Sequence, residues 1–129
     1  HALLAAKLGR QEEAYHFFRG CCDTDLGPVM TTSNAGIHSA CMGGIWQCVV
    51  QGFGGVEIRE GKLHVEPQLP SAWKTLSFRI AYEGTTLEVS ASRDDLEICN
   101  VGEKAVTVIS GNREEEIAAG ENILIAGRD

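Results

Sequence analysis

Hydroxyl side chains, a glycine and a histidine are concentrated in residues 31–38, directly before a segment with helical spacing of apolar residues. The first turn of a helix has amide groups without partners and carries a partial positive charge. Thr32 and Ser33 add hydroxyl donors, and Gly36 lets the backbone approach a ligand closely. His38, expected in the first turn, is able to donate a hydrogen bond to an anion. The segment therefore suggests a phosphate- or carboxylate-binding site.

The same segment has a second interpretation, in which a side chain of the loop caps the helix. Ser33 and Asn34 are both preferred N-cap residues, because their side-chain oxygens accept hydrogen bonds from first-turn amides. Taken by itself, the local pattern favours the cap, since most clusters of this kind are caps. His38 and Cys41 share one helix face at i, i+3 spacing, but zinc needs three or four ligands, so no metal site is predicted.

Carboxylates that could perform acid–base catalysis are poorly placed in the sequence. A glycosidase needs two opposed carboxyl groups. Glu12 and Glu13 fall on a polar helix face, and the acidic run 114–116 lies beside a turn, so both groups are expected to be solvated. No serine occupies the sharp strand-to-helix turn of a nucleophile elbow. Residue types and spacing therefore predict no catalytic residues within this chain.

The composition disfavours two further classes, nucleic-acid-binding proteins and membrane proteins. The chain has 129 residues, of which 43% are hydrophobic and 22% charged, as in an ordinary folded domain. Its net charge of −7 disfavours a nucleic-acid partner, which is bound through a basic patch. No apolar run approaches the roughly 20 residues of a membrane helix, so no membrane partner is expected, and no signal peptide is recognisable.

Two further features of the sequence concern its origin. The five cysteines form no disulfide pattern, which predicts reduced thiols in a cytoplasmic protein. The chain begins at His1 rather than at a methionine, so we expect it to be an excerpt of something longer.

Apolar residues recur at helical spacing as far as about residue 53. Helices are predicted over 1–8 and 11–22, joined at Gly9 in an αα-hairpin. A loop is predicted over 23–33, because Gly27 and the proline after it break a helix.

A third helix is predicted over 36–51, and it is apolar on all sides. Such a helix is buried on more than one side. Gly43 and Gly44 lie within it and are unfavourable helix residues. Close packing of a neighbouring helix or close approach of a ligand to the backbone would compensate for them, and packing is expected for at least one of the two. Two preceding helices and a sheet do not suffice to cover the whole helix, which indicates that partner helices are missing from the sequence.

Beyond residue 53 the apolar residues alternate with period two, which is typical of strands. Turn residues separate about eight short strands, the pattern of an antiparallel sandwich. The predicted strands are 56–59, 62–65, 76–82, 87–91, 96–100, 105–110, 113–118 and 122–126. The predicted fold class is therefore α+β, with N-terminal helices followed by an antiparallel β-sandwich.

Longer strings of the sequence resemble one known family. They are Thr32-Ser33-Asn34-Ala35-Gly36-Ile37-His38, Gly43-Gly44-Ile45-Trp46-Gln47, Gly52-Phe53-Gly54-Gly55-Val56 and Pro67-Gln68-Leu69-Pro70. Together they resemble glycoside hydrolase family 65, the maltose, trehalose, kojibiose and nigerose phosphorylases. The resemblance implies an (α/α)6 barrel that carries the active site, followed by a small β-sandwich. Residues 1–52 would then be the last helices of the barrel, and residues 53–129 the sandwich.

The resemblance also implies a reaction, inverting phosphorolysis of an α-glucoside disaccharide. Inorganic phosphate is the co-substrate and no other cofactor is implied. Ser33 and His38 match the family's phosphate-binding motif, and Thr32 and Gly36 lie within the same motif. The general acid of the family lies upstream of this segment, so the chain is expected to be inactive on its own. A homodimer is a further expectation from the resemblance.

Three alternatives accompany this interpretation. A hydrolase of the same superfamily would use water instead of phosphate and would need a base. A non-catalytic carbohydrate-binding sandwich would need an exposed aromatic platform, for which the sheet half offers Trp73, Phe78 and Tyr82. Phe78 and Tyr82 are expected on the core face, which disfavours a platform. A tetratricopeptide-like module would need a second copy some 34 residues on, and the sequence has none there.

Overall fold

A computed structural model of the chain describes residues 1–27 and 36–127. Three α-helices and a π-helix come first, and eight strands follow. The helices are α1 (Ala2–Lys7), α2 (Gln11–Leu26), α3 (Ser39–Gln47) and the π-helix Cys48–Phe53. The strands are β1 (Val56–Arg59), β2 (Lys62–Val65), β3 (Thr75–Tyr82), β4 (Thr85–Ser92), β5 (Leu96–Asn100), β6 (Val106–Ser110), β7 (Arg113–Ile117) and β8 (Asn122–Ile125). We refer to α1 through the π-helix as the helical half and to β1–β8 as the sheet half.

The first two helices form the predicted hairpin at Gly9, which has a φ of +74°. The predicted end of the second helix is wrong, because α2 continues four residues beyond residue 22, as far as Leu26. Residues 23–26 contain no helix breaker, and α2 ends where Gly27 donates its N–H to the carbonyl of Asp23 at 2.9 Å. Asp25 therefore lies on the last turn of α2 rather than in the predicted loop.

The third helix also differs from its prediction over 36–51. Regular α-helix begins only at Ser39, and residues Gly36 to His38 lie outside it. From Cys48 the backbone widens into the π-helix, which ends at Phe53. A Cβ atom on Gly52 would lie 3.2 Å from the Cβ of Ala6, so glycine at this position lets α1 pack closely against the π-helix.

The strands form two four-stranded sheets, in the orders β1-β2-β6-β7 and β3-β4-β5-β8. The second sheet is antiparallel throughout. In the first sheet β2 pairs with β6 in parallel, the one departure from the predicted antiparallel pattern among the described strands. Both sheets contribute side chains to one core. Its fully buried members include Leu63, Val65, Leu87, Val89, Leu96, Ile98, Val108 and Ile117. The predicted α+β fold class is confirmed.

An aromatic cluster joins the two halves. Trp73, in the segment before β3, contacts rings of the helical half at centroid distances of 4.8 Å to Phe53, 5.5 Å to Phe18 and 6.0 Å to Tyr15. Trp73 therefore packs against helices and is not an open platform for sugar stacking. Phe78 and Tyr82 pack against the core of the sheet half, as predicted. None of the three candidate aromatic side chains therefore forms an open platform for a carbohydrate, which disfavours the carbohydrate-binding alternative.

Polar contacts reinforce the same junction. Lys7 of α1 pairs with Glu57 of β1 at 3.0 Å, and the N–H of Ser71 donates to the carboxylate of Glu12 at 2.7 Å. The hydrogen bond from Lys7 lowers the pKa of Glu57, and the N–H of Ser71 lowers the pKa of Glu12. Among the described residues, no helix combines the length and apolar character needed to cross a membrane.

Candidate functional site

Two of the four predicted phosphate-site residues, Gly36 and His38, belong to the described part of the chain. They lie directly before α3, and the carbonyl of His38 accepts the N–H of Met42 at 3.1 Å, which starts the helix. Gly36 has a φ of +135°, which favours glycine, and open space surrounds the position of its absent Cβ. The other two predicted residues, Thr32 and Ser33, lie outside the described residues.

The described structure adds a third residue to the site, Asp25 in the last turn of α2. Its carboxylate accepts the ring Nδ1 of His38 at 2.9 Å. The same carboxylate accepts the backbone N–H of His38, with its two oxygens at 3.3 and 3.2 Å. The Asp25 side chain is only 5% exposed, whereas the His38 side chain is 51% exposed. A buried carboxylate thus holds a half-exposed imidazole at the start of α3.

The sequence does not point to Asp25, because residues 23–33 are predicted as a loop and most carboxylates in loops are solvated. The signal that could identify it is the absence of a helix breaker before Gly27, which allows the helix to continue and places Asp25 on its last turn. The pairing itself joins residues thirteen positions apart, and local patterns do not specify such a contact.

The contacts of Asp25 determine how the histidine is presented. Because the carboxylate takes Nδ1–H, the other ring nitrogen, Nε2, lies on the side of the imidazole away from Asp25. Since the side chain is half exposed, Nε2 is available to an external partner. The amides of the first turn of α3, at Ser39, Ala40 and Cys41, have no carbonyl partner within the helix. These amides offer hydrogen-bond donors next to His38, whose Nε2 accepts a hydrogen bond when the ring is neutral and donates one when the ring is an imidazolium.

The helix that starts at this site presents an uncovered apolar surface. No residue of α3 is buried in the described chain, and the exposed fractions are 70% for Ile37 and 56% for Trp46. A Cβ atom on Gly43 or Gly44 would meet nothing within 4 Å. Among the described residues no helix packs against these glycines, so close packing at them stays a prediction. The surface around α3 is open in the described part of the chain.

The cysteines are free thiols and do not form a metal-binding group with other described residues. All five cysteines are free. Burial raises the pKa of Cys48 and of Cys22, which keeps both thiols protonated and poorly nucleophilic near neutral pH. Within residues 1–27 and 36–127, no group of three or more histidine, cysteine, aspartate or glutamate side chains is arranged to hold a metal ion.

The larger clefts of the described chain lie away from His38. One of about 700 Å³ lies at the end of the sheet half, beside Gln11, Gln68 and Arg93. Another, of about 490 Å³, lies on the outer face of β3, β4 and β5. Neither cleft is lined by His38 or by a residue of α3.

Comparison with known proteins matches the two halves separately. Residues 1–47 match the family model for the central catalytic domain of glycosyl hydrolase family 65, and residues 56–116 match that for the family's C-terminal domain. A kojibiose phosphorylase of Halothermothrix orenii is 39% identical over 98 residues, which cover 76% of this chain and 13% of that protein. A 1,2-α-glucosylglycerol phosphorylase of Bacillus selenitireducens is 37% identical over 111 residues, which cover 80% of this chain and 14% of that protein.

A solved structure shows the same fold. It is a candidate kojibiose phosphorylase from the human microbiome, with a TM-score of 0.86 and 24% sequence identity. The match covers 98% of this chain and 16% of that protein. The chain therefore spans about a seventh of the length of the proteins that it matches.

Proposed function

Because this chain belongs to glycosyl hydrolase family 65, we propose that it is the C-terminal part of an inverting α-glucoside phosphorylase and lines the phosphate side of the active site. Residues 1–52 would supply the last helices of the catalytic (α/α)6 barrel. Residues 53–129 would form the C-terminal β-sandwich. We call the full-length protein that combines this chain with a preceding barrel segment the intact enzyme.

The single observation that supports this role best is the arrangement of His38. Its ring is fixed through Nδ1 by a buried carboxylate directly before α3, and among the described residues Nε2 has no hydrogen-bond partner. Helix N-termini with such donors bind phosphate readily. Gly36, two residues earlier, adds no side chain that would obstruct a ligand. This geometry suits an oxyanion with several acceptor oxygens.

The uncovered surface of α3 supports the proposed place in a larger enzyme. Exposed apolar patches of this kind mark surfaces that bind a partner. The family model for the central catalytic domain matches as far as residue 47, the last residue of α3. Barrel helices that precede this chain would cover Ile37, Met42 and Trp46 and would supply the missing walls around His38.

In the proposed reaction, phosphate attacks the anomeric carbon of an α-glucoside and displaces the second sugar with inversion. The leaving oxygen is protonated by a glutamic acid outside this chain, and the product is β-glucose 1-phosphate. As an imidazolium, His38 donates Nδ1–H to Asp25 and Nε2–H to a phosphate oxygen, and the α3 amides stabilise the remaining charge. Thr32 and Ser33 would add hydroxyl donors to the same phosphate. No protein base is required, because phosphate is itself the nucleophile.

The charge of Asp25 sharpens this proposal. A carboxylate beside a phosphate repels it, unless the histidine between them carries a positive charge. We therefore propose that His38 binds phosphate as the imidazolium, which donates from both ring nitrogens.

The Asp25–His38 pair also supports a second candidate function, hydrolysis. A carboxylate that orients an imidazole is a common arrangement for a general base, and Nε2 could then take a proton from water. The resulting enzyme would release glucose without phosphate. The two functions differ in what occupies the position next to Nε2, an anion in one and water in the other.

One assay separates these functions. The intact enzyme is incubated with maltose, trehalose, kojibiose and nigerose, each with and without inorganic phosphate, and glucose and glucose 1-phosphate are measured. Glucose 1-phosphate that forms only with phosphate, from at least one of these sugars, supports the phosphorylase and identifies the linkage. Glucose release that is indifferent to phosphate would contradict it and support the hydrolase.

A further inference from the structure

We propose that Asp25 is a positioning residue of the phosphate site, which holds the His38 imidazole so that Nε2 meets the bound phosphate. This inference rests on the proposed function and extends it to a residue on a different helix. Asp25 would determine how tightly phosphate binds without touching phosphate itself.

The contacts of Asp25 support a positioning role. One carboxylate receives both the ring Nδ1 at 2.9 Å and the backbone N–H at 3.2 to 3.3 Å of the same residue. The two contacts fix the ring and the backbone of His38 together. A histidine that is 51% exposed would otherwise sample several rotamers. With its ring held at Nδ1, the donor at Nε2 keeps one direction.

Burial argues against a direct contact between Asp25 and phosphate. The side chain is 5% exposed, and both oxygens accept hydrogen bonds from His38. Burying a carboxylate is unfavourable unless its oxygens are hydrogen-bonded, and His38 supplies those bonds. A second anion next to this carboxylate would be repelled. Asp25 therefore acts through His38.

A double-mutant cycle in the intact enzyme tests the proposal. The KM for phosphate and kcat are measured at saturating disaccharide for Asp25→Ala, His38→Ala and the double variant. We expect Asp25→Ala to raise the KM for phosphate about tenfold, the lower end of the loss caused by removing the hydrogen-bond partner of a metal-ligating histidine. In the His38→Ala background the same change should alter the KM by no more than about twofold, because Asp25 acts through the ring that is absent. At saturating phosphate, kcat should be largely retained.

Two further variants keep the test decisive. Asp25→Asn retains an oxygen acceptor for Nδ1–H and should raise the KM less than Asp25→Ala does; it also replaces Asp25→Ala if that variant does not fold. Asp23→Ala, an exposed aspartate on the same helix, is the matched control and should leave the KM unchanged.

Each failure has a distinct meaning. An equal increase in KM from Asp25→Ala in both backgrounds would show that Asp25 acts independently of His38 and would overturn the positioning role. If His38→Ala raises the KM and neither Asp25 variant does, the positioning role is wrong and the phosphate site stands. If His38→Ala has no effect on the KM, the proposed phosphate site is wrong and the positioning role falls with it.

Discussion

The sheet half and the helical half differ in where their apolar surfaces find partners. In the sheet half, the inward side chains of both sheets are buried against one another, and Leu63, Leu87 and Ile98 are at most 1% exposed. In the helical half the large apolar side chains are mostly uncovered, with Leu26 at 78% and Ile37 at 70% exposed. The buried part of that half consists chiefly of small residues on α1 and α2 and of Phe53.

The sheet half thus contains its own hydrophobic core, whereas the helical half depends on neighbouring elements to cover its apolar side chains. The sheet half satisfies the requirements of a folded unit within the chain, since hydrophobic burial is the main stabilising term. The helical half presents the candidate site next to an open surface. The sheet half, which contains its own core, therefore supports the helical half, which carries His38, through the contacts of Trp73.

The strongest test of the self-contained half concerns Asn100, which is 1% exposed. Its amide accepts from Thr85 at 2.8 Å and Gly102 at 3.1 Å, and donates to the carbonyls of Lys104 at 2.7 Å and Ile117 at 3.0 Å. Asn100→Ala leaves several of these buried groups unpaired, so we expect a loss of about 4 kcal/mol in the free energy of unfolding. Urea unfolding measures it.

The matched control is Asn122→Ala. The Asn122 amide donates to an exposed carboxylate, Glu97, so its loss should cost less than about 0.5 kcal/mol. Equal losses for the two variants would show that the buried network does not stabilise the sheet half.

A pair of leucines compares the two halves directly. Leu87 is 0% exposed in the sheet core, and Leu26 is 78% exposed at the end of α2. In this chain alone, Leu87→Ala should lower the free energy of unfolding by about 3 kcal/mol and Leu26→Ala by less than 0.5 kcal/mol. Urea unfolding of both variants provides the comparison. A large effect of Leu26→Ala would indicate that the helical half has a partner in solution, such as a second copy of the chain.

The junction between the halves depends on Trp73, whose ring contacts three aromatic rings of the helical half. Trp73→Ala should remove about 2 to 3 kcal/mol, because a large, half-buried side chain is lost. We expect the helical circular-dichroism signal to melt before the sheet signal in this variant. Trp46→Ala, at an exposed tryptophan of α3, is the control and should leave one common transition. A single transition for Trp73→Ala would contradict its role in coupling the halves.

The smallest expected effect is a pH dependence of the stability contributed by Glu12, at the same junction. The N–H of Ser71 lowers the pKa of Glu12 below its usual value near 4.5. A lowered carboxyl pKa stabilises the fold above the usual value, and this contribution disappears as pH falls through the lowered pKa. Glu12→Gln does not titrate, so the difference in stability between the wild type and this variant should shrink between pH 7 and pH 3. A constant difference across this range would contradict the account.

The sheet half was largely predictable from the sequence, because its signals are local. Alternation with period two and turns such as Glu83-Gly84, where both residues have positive φ, specify hairpins between consecutive strands. The parallel pairing of β2 with β6 was not predictable in this way. It joins strands that are more than forty residues apart, as in the pairing of Leu63 with Val108, and only the packing of the two sheets determines it.

The candidate site was predictable in part. The type and position of His38 indicate an anion site, whereas its contact with Asp25 depends on the exact end of α2 and on how α2 and α3 lie relative to each other. The apolar pattern of α3 correctly indicates a need for partners, but a pattern does not say whether those partners lie in the same chain. Gly43 and Gly44 illustrate this point, since open space surrounds both.

The role of His38 is tested most directly by the KM for phosphate of the intact enzyme with His38→Ala, measured against His16→Ala. His16 is an exposed histidine on α2 and serves as the matched control. We expect a rise of about tenfold or more for His38→Ala, since a charge-assisted hydrogen bond to phosphate is lost, and no change for His16→Ala. An unchanged KM for phosphate in a folded, active His38→Ala enzyme would contradict the claim that this chain forms the phosphate side of the active site.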